Sequence, residues 1–332
     1  MNEENKKETV CAVVVTYNRK NLLLECLEAI RRQTRPVDGI YIIDNASDDG
    51  TPELLKENGY IPELPPFNLP EPYEIEHRIS NLVDGNTIKV FYVRMHKNTG
   101  GAGGFYEGVK RGYERRYDWL WLMDDDGFPE LSCLEILLSK KEYGHFIAPL
   151  VIRIDKKDEL SFGLGKNLMT IEECKKVAIN DIIFNVANPF NGVLISKELI
   201  RKIGFPRKEM FIWGDEEEYL LRAVKSKMGV LTVVNALYYH PKGRDQKVKV
   251  IGTKYKVRYQ DNDDLRNYCF IRNQAFINYR YNKKALLKSF ILYSIFFISR
   301  FDFPGYLFYL SAVKDGILGI WGKENKYLKS KD

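Results

Sequence analysis

Short apolar runs alternate with polar, periodic stretches along this chain. Val10–Thr16 (VCAVVVT) has the length and β-branched composition of a buried strand. From Asn21 the spacing changes, and Leu22, Leu23, Cys26, Leu27 and Ile30 recur at intervals that predict a helix with one broad apolar face. Gly39–Asn45 (GIYIIDN) predicts a second strand. The turn Ala46–Gly50 and a helix opening at Thr51-Pro52-Glu53 follow, with proline suited to the first helical turn. Thr87–Met95 reads as a strand, the next helix runs through Lys110 to Arg116, and Asp118–Met123 (DWLWLM) is again a strand. Further on, His145–Ile154 and Asn188–Ser196 read as strands. Asp215–Met228 reads as a helix with Leu220, Leu221, Val224 and Met228 on one side, and Val230–Asn235 and Leu237–His240 as strands. From Leu265 the pattern is helical. Such alternation predicts an α/β fold with a mostly parallel central sheet flanked by helices and a helical C-terminal extension.

These elements set the expected organisation: a polar N-terminal tail at 1–9, an α/β domain at 10–264 and a basic helical region at 265–332. Within the domain, residues 60–86 are rich in proline and acids (IPELPPFNLPEPYEIE) and read as an insertion loop. The tail has no apolar signal-peptide core, so residence in the cytoplasm is expected. Between Lys288 and Arg300 lies the uncharged run SFILYSIFFIS, short of the roughly 20 residues a spanning helix needs, so an interfacial or core helix fits better.

Charge and composition refine this picture. The net charge is +6, yet Lys242–Asp332 alone holds 19 Lys/Arg against 8 Asp/Glu, that is +11, and leaves −5 for the rest. A basic tail points to lipid headgroups or another polyanion, and a well-solvated surface has the same composition. The expectation is an anionic membrane surface, peripherally contacted on the inner face of the cell membrane, and no nucleic acid. The 5 cysteines (Cys11, Cys26, Cys133, Cys174, Cys269) are widely spaced with no C-x-x-C pair, as for buried free thiols in a reducing compartment.

Three groups of residues carry candidate chemistry. Asp124-Asp125-Asp126 directly follow a strand, where open α/β sheets bind ligands. In an extended segment Asp124 and Asp126 point the same way and could share a hard cation such as Mn²⁺ or Mg²⁺, although an acidic turn capping a helix near Pro129 has the same composition. His240, ending the run ALYYH, is a candidate third ligand. Asn98–Gly104 (NTGGAGG) is either a flexible turn or a loop against which a nucleotide or sugar packs. It fails the dinucleotide fingerprint, because Tyr106 stands where the third glycine belongs. Asp215-Glu216-Glu217-Glu218 open a helix, where the dipole favours acids, and one of them aimed into a cleft is a candidate general base.

The segments VVVTYNR (Val13–Arg19), IIDNASDDGT (Ile42–Thr51), NTGGAGGF (Asn98–Phe105), WLMDDDG (Trp121–Gly127), NPFNGVLIS (Asn188–Ser196), WGDEEEYLLRA (Trp213–Ala223) and YYHP (Tyr238–Pro241) occur in this order. The set resembles the inverting family 2 glycosyltransferases of the GT-A fold, and within them the bacterial galactofuranosyltransferases, over roughly residues 10–282. The resemblance implies a metal-dependent hexosyltransferase that takes galactofuranose from UDP-galactofuranose to a glycan or lipid-linked glycan in cell-surface polysaccharide synthesis. It implies that Thr16, Tyr17 and Arg19 line the nucleotide pocket, that Asp44 bonds the uracil, and that Asn98, Gly100 and Asp125 lie at the sugar nucleotide. Asp124, Asp126 and His240 would hold the metal, and Asn191, Gly192 and Trp213 would border the acceptor. The family's base falls on Glu216, with Asp215 beside it as the alternative. Two rival readings are a rhamnosyltransferase using dTDP-rhamnose, which Asp125 between the two acids disfavours, and a GT-A domain that binds sugar nucleotides or glycans without turnover.

Overall fold

The computed structural model describes residues 7–165, 167–243 and 247–328. Packing divides the chain into two units. The first comprises the chain up to Pro206 together with Arg222–Gly243, and the second joins Arg207–Leu221 to the chain beyond Gly243.

The first unit follows the predicted alternation. It runs β1 (Val10–Thr16), α1 (Lys20–Arg31), β2 (Gly39–Asp44), α2 (Thr51–Glu57), β3 (Tyr73–Ser80), β4 (Thr87–Arg94), α3 (Gly100–Glu114) and β5 (Trp119–Asp124). A two-residue β6 (Phe128–Pro129), α4 (Cys133–Leu138), β7 (Phe146–Arg153), β8 (Glu159–Leu164), β9 (Leu168–Thr170), α5 (Ile171–Val177), β10 (Ile182–Phe184), β11 (Asn191–Ser196) and α6 (Lys197–Ile203) follow. Helix α7 (Asp215–Ser226), whose first part packs with the second unit, leads into β12 (Val230–His240).

The sheet order is β10-β12-β7-β11-β5-β1-β2-β4-β3. Its centre, β5-β1-β2-β4, is parallel throughout, as is the pair β7 and β12, whereas β3, β10 and β11 run antiparallel to their neighbours. The architecture is mixed α/β with a mostly parallel central sheet. Every residue of β1 and β2 is buried, which is why these strands are continuous apolar runs with no alternation. Leu23, Cys26, Leu27 and Ile30 of α1 pack into the same core.

Four details differ from the expectations. Residues 73–80, within the stretch expected as a loop, form the edge strand β3 against β4; Ile75 is buried, while Glu74, Glu76 and Arg78 place charge along it, a usual protection for an edge. Pro129 lies in β6, paired with Tyr238, and not at a helix start. The two strands expected at 230–240 are one strand with a register shift between Val233 and Leu237. In α7 the buried residues are Asp215, Glu218, Tyr219 and Ala223, whereas Val224 is exposed.

The second unit contains a two-stranded ribbon, β13 (Lys247–Lys249) and β14 (Lys256–Arg258), and the helices α8 (Asp264–Tyr281), α9 (Lys283–Ile298) and α10 (Phe303–Leu318). Each helix opens on a side-chain cap: Asp263, Asn282 and Asp302 accept from the backbone N–H of Arg266, Ala285 and Gly305. Tyr268, Tyr293, Phe296, Phe297 and Tyr309 build an aromatic core between them. No described helix is long and apolar enough to cross a membrane.

Candidate active site

Three neighbouring parallel strands place the candidate residues at one edge. In the registers of β1 with β2 and β5, Thr16 lies opposite Asp44 and Val15 opposite Asp124, so the acidic triplet emerges beside the end of β1. The Thr16 hydroxyl donates to Asp125 Oδ2 (2.7 Å). Arg19, just before α1, spans two carboxylates, with Nη1 at 3.0 Å from Asp125 and 2.7 Å from Asp126. A guanidinium thus offsets the repulsion that adjacent acids create. Asp125 is only 3% exposed; burial raises its carboxyl to about 6 against the opposing pull of Arg19 and Thr16. Burial also raises Asp126, but the hydrogen bond and charge of His240, with Arg19, outweigh it and hold that carboxyl below its ordinary range. Tyr17, beside them, keeps its ring partly exposed.

The orientation of His240 is chemically informative. Its Nδ1 lies 2.6 Å from the Pro241 carbonyl, which can only accept, so Nδ1 carries a proton. Nε2 is then the nitrogen presented to Asp126, at 3.1 Å from Oδ1. With Nδ1 committed in this way, Nε2 and the Asp126 oxygen lie where both could give electron pairs to one metal ion. An imidazole anchored through Nδ1–H to a carbonyl is a common arrangement for a metal ligand. Asp126 and His240 therefore fit a hard divalent cation. Among the described residues, however, no set of three or more His, Cys, Asp and Glu side chains is gathered for a metal, so Asp124 does not complete the expected trio.

Asp44, expected at the uracil, is completely buried. Tyr92 OH and Arg94 Nη1 each donate to its Oδ2 at 2.6 Å, and the Ser47 N–H donates to Oδ1 at 2.8 Å. Here it fixes the turn after β2. The adjacent Asn45 performs a linking role that the sequence did not reveal. Its Nδ2 donates to the Gly100 carbonyl (2.6 Å), and its Oδ1 accepts from Thr99 N–H (3.0 Å) and hydroxyl (2.9 Å). Asn98 Oδ1 accepts from the Gly100 N–H at 2.8 Å.

The glycine-rich motif is mainly helix, not loop: Gly100–Gly104 form the first turns of α3. A Cβ on Gly104 or Gly108 would sit 2.5 Å from Val15 or 2.3 Å from Val13, and one on Gly112 would sit 2.6 Å from Leu120. These glycines let α3 lie directly on β1 and β5.

Asn191 and Gly192 open β11. Asn191 Nδ2 donates to the Pro189 carbonyl (2.9 Å), while its buried Oδ1 has no partner among the described residues. Gly192 accepts from the Trp121 indole N–H (2.7 Å) and has φ +75°, with Tyr238 packed where a side chain would project.

Trp213, Asp215 and Glu216 belong to the second unit. Of the four acids opening α7, Glu217 accepts from Gln274 (2.6 Å), and Glu218 is buried with Arg207 (3.1 Å) and Tyr281 (3.2 Å). Asp215 is 4% exposed, whereas Glu216 is half-buried and accepts from the Gly214 N–H (2.9 Å). Glu216 is thus the more exposed of the two candidate bases. The loop before it is strained, with φ of +65° at Phe211 and +59° at Trp213. Two fully buried residues of α8, both missed in sequence, hold it. Asn273 Nδ2 is shared among the carbonyls of Met210 (2.9 Å), Ile212 (3.0 Å) and Trp213 (2.6 Å), and Arg272 donates to that of Met210 (3.0 Å). The Arg258 guanidinium lies 3.9 Å from the centre of the Trp213 ring, a cation–π contact.

Several known proteins are similar to this chain. The galactofuranosyltransferase GlfT1 of Mycolicibacterium smegmatis is 29% identical over 90% of this chain and 93% of its own length. GlfT1 of Mycobacterium tuberculosis is 29% identical over 81% and 82%. In fold, the chain resembles Staphylococcus aureus TarS 1–349 in complex with UDP-GlcNAc, with a TM-score of 0.56, 12% identity and coverage of 96% and 83%. It also resembles GalNAc-T7 with UDP, GalNAc and Mn²⁺, with a TM-score of 0.55 and 15% identity, covering 85% of this chain and half (50%) of that one. These neighbours are glycosyltransferases of the GT-A fold. The "Glycosyl transferase family 2" model matches residues 11–61 and 72–193, from β1 through the acidic triplet to the start of β11, and the chain belongs to that family of glycosyltransferases.

Proposed function

We propose that this protein is a metal-dependent, inverting galactofuranosyltransferase that moves the sugar of UDP-galactofuranose to a hydroxyl of a glycan or lipid-linked glycan. The observation that carries the donor is the 29% identity to galactofuranosyltransferases across nine-tenths of both chains. The fit of Asp126 and His240 to a cation supports the metal.

In this reading Thr16, Tyr17 and Arg19 bind the nucleotide beside Asp125, and Asn98 and Gly100 lie against the sugar. Asp126 and His240 hold Mn²⁺ or Mg²⁺, with Asp124 nearby on the same segment. The metal, when bound, neutralises charge on the diphosphate leaving group. Arg19 adds a fixed positive charge at the same carboxylates and helps retain the departing UDP. Glu216 removes the acceptor proton. Asn191, Gly192 and Trp213 border the acceptor. No covalent intermediate is required, since a sugar hydroxyl takes the place of water in an inverting displacement.

Peripheral attachment to the inner face of the cell membrane is part of this proposal. Helix α9 is apolar around most of its circumference, yet Leu287, Ile291, Ile295 and Ile298 remain exposed, as do Phe301, Phe303 and Leu307 after it. Such a surface suits the plane of a bilayer.

The test is turnover by purified protein of UDP-galactofuranose, UDP-galactopyranose and dTDP-rhamnose, with Mn²⁺ or with EDTA, against glycosyl-lipid acceptors. Transfer from the furanose donor alone, lost with EDTA, supports the proposal. Transfer from dTDP-rhamnose instead would replace the donor, and metal-independent transfer would remove the metal.

A further inference from the structure

Helix α10 ends at Gly319 (φ +68°), a left-handed position that glycine takes without steric cost, and Gly322 (φ +85°) turns the chain again. The chain then continues as a short 3-10 helix, Lys323–Tyr327. Two contacts bring this segment to α8. A side chain on Gly316 would run into the Arg272 carbonyl, so glycine there lets α10 lie close against α8. Asp315, buried in α10, accepts from the Tyr268 hydroxyl of α8 (2.8 Å) and from Lys323 (2.7 Å).

The return places Glu324, itself buried, against the fully buried Arg272. A guanidinium held away from water is costly unless it is paired, and its five donors have fixed directions. Nη1 of Arg272 donates to Glu324, Nη2 to the Met210 carbonyl (3.0 Å) and Nε to Asn273 Oδ1 (3.0 Å). The last bond settles which way the Asn273 amide points. With Oδ1 engaged by Nε–H, Nδ2 faces the carbonyls of Met210, Ile212 and Trp213. The loop they hold is strained, with positive φ at Phe211 and Trp213 and at Gly214 (+98°). Glu216 accepts from the Gly214 N–H, so the base is joined to the same loop.

We propose that Glu324 is a positioning residue for proton transfer: its charge holds Arg272, which with Asn273 fixes the loop before α7 and so the direction of Glu216. This rests on the reading of Glu216 as the base. Without the Glu324 carboxylate the buried guanidinium must turn toward another acceptor or toward water, and the groups it orders are released.

Two variants of the full chain test this. Glu324→Gln removes the charge with little change of shape. Arg272→Met combined with Glu324→Leu removes both charges, an exchange for apolar residues that is often neutral in stability, but it also removes the donors to Met210 and Asn273. Both proteins are expected to lose about tenfold or more in kcat for transfer from the UDP-sugar, with donor KM within about twofold of wild type. The amides of Met210–Gly214 should exchange with deuterium about tenfold faster or more. The thermal midpoint should fall in Glu324→Gln and recover in the double variant while turnover stays low, a split that a purely structural role would not give. The proposal is overturned if turnover recovers together with stability, if kcat is unchanged in either variant, or if exchange at Met210–Gly214 keeps the wild-type rate. Should Glu324→Gln fail to fold, the double variant decides by the same criteria. Absence of transfer by the wild-type protein would count against the proposed activity instead, and the exchange rates would still decide whether Glu324 holds the loop.

Discussion

His240 presents Nε2 to Asp126 at 3.1 Å because its Nδ1–H is committed to the Pro241 carbonyl. This fixes which nitrogen is available to a cation. His240→Gln and Asp126→Asn are each expected to lower Mn²⁺ affinity and turnover by about 10–100-fold or more. Mn²⁺ binding followed by electron paramagnetic resonance reads the first effect independently of activity, and unchanged affinity in both variants would exclude the pair as ligands.

Glu216 and Asp215 are distinguished by exposure. Glu216→Gln should reduce the rate constant for transfer by about 10²–10⁴-fold with little change in donor binding, the pattern of a lost proton acceptor. If Asp215→Asn has that effect and Glu216→Gln does not, the base is the buried acid.

Asn273 holds the loop leading to those acids. Asn273→Ala removes the side-chain donor to the carbonyls of Ile212 and Trp213, while that of Met210 keeps Arg272, at a cost of about 3 kcal/mol in chemical denaturation. Asn273→Asp should be worse than alanine, since it points an acceptor at acceptors. Equal stability of all three proteins would show that the strained loop stands without this anchor.

Glycines in α3 should respond in opposite directions. Gly108→Ala gains about 1 kcal/mol of helix propensity but forces a Cβ to 2.3 Å from Val13, at an overpacking cost of about 1–3 kcal/mol, so net destabilisation is expected. At Gly101 a Cβ meets nothing within 4 Å, and Gly101→Ala should stabilise by up to about 1 kcal/mol. Thermal midpoints that move the same way would contradict the packing assigned to the helix.

Asp118 contributes to acid sensitivity. Its carboxylate accepts from the N–H and hydroxyl of Thr9 (both 2.9 Å) and pairs with Lys197. Burial raises its carboxyl, but Lys197 and Thr9 outweigh this and hold it below the ordinary value of 3.8. A depressed folded-state value means that the contribution is fully present above the unfolded-state value and is lost as pH falls through the folded-state one. The stability gap between wild type and Asp118→Asn should therefore be constant near neutrality and close below about pH 4. A gap that stays constant to lower pH would show that charge at Asp118 is not the cause.

The parallel centre of the fold was readable because its strands are buried on both faces: Val10–Thr16 and Gly39–Asp44 have no polar interruption to obscure them. Strand β3 was hidden because an edge strand carries charge and lies here among prolines; only Tyr73, Ile75 and Ile79 preserve its period of two. The acidic triplet was visible from composition, but its pairing with Arg19 depends on a turn that brings together residues more than a hundred positions apart. The strand packing of α3 was not legible from its glycines, because a backbone that must approach a strand and one that must approach a ligand need the same residue. Arg272 and Asn273 lie inside an unremarkable helical run, and their bonds are to backbone carbonyls, which carry no sequence signature.

All 5 cysteines are buried and free, in β1, α1, α4, α5 and α8. Burial raises each thiol, to about 11 at Cys174 and about 12 at Cys269, so little thiolate forms near neutral pH. A maleimide added to the native protein should therefore react only when a segment opens. Its rate at each sulfur, resolved by mass spectrometry, becomes a clock for local unfolding, with Cys269 timing the helical unit and the other thiols timing separate elements of the sheet domain. For the same reason, a cysteine engineered on the surface, for instance along α9, would label against almost no background and could report whether that helix meets a bilayer, as proposed, in an otherwise native sequence.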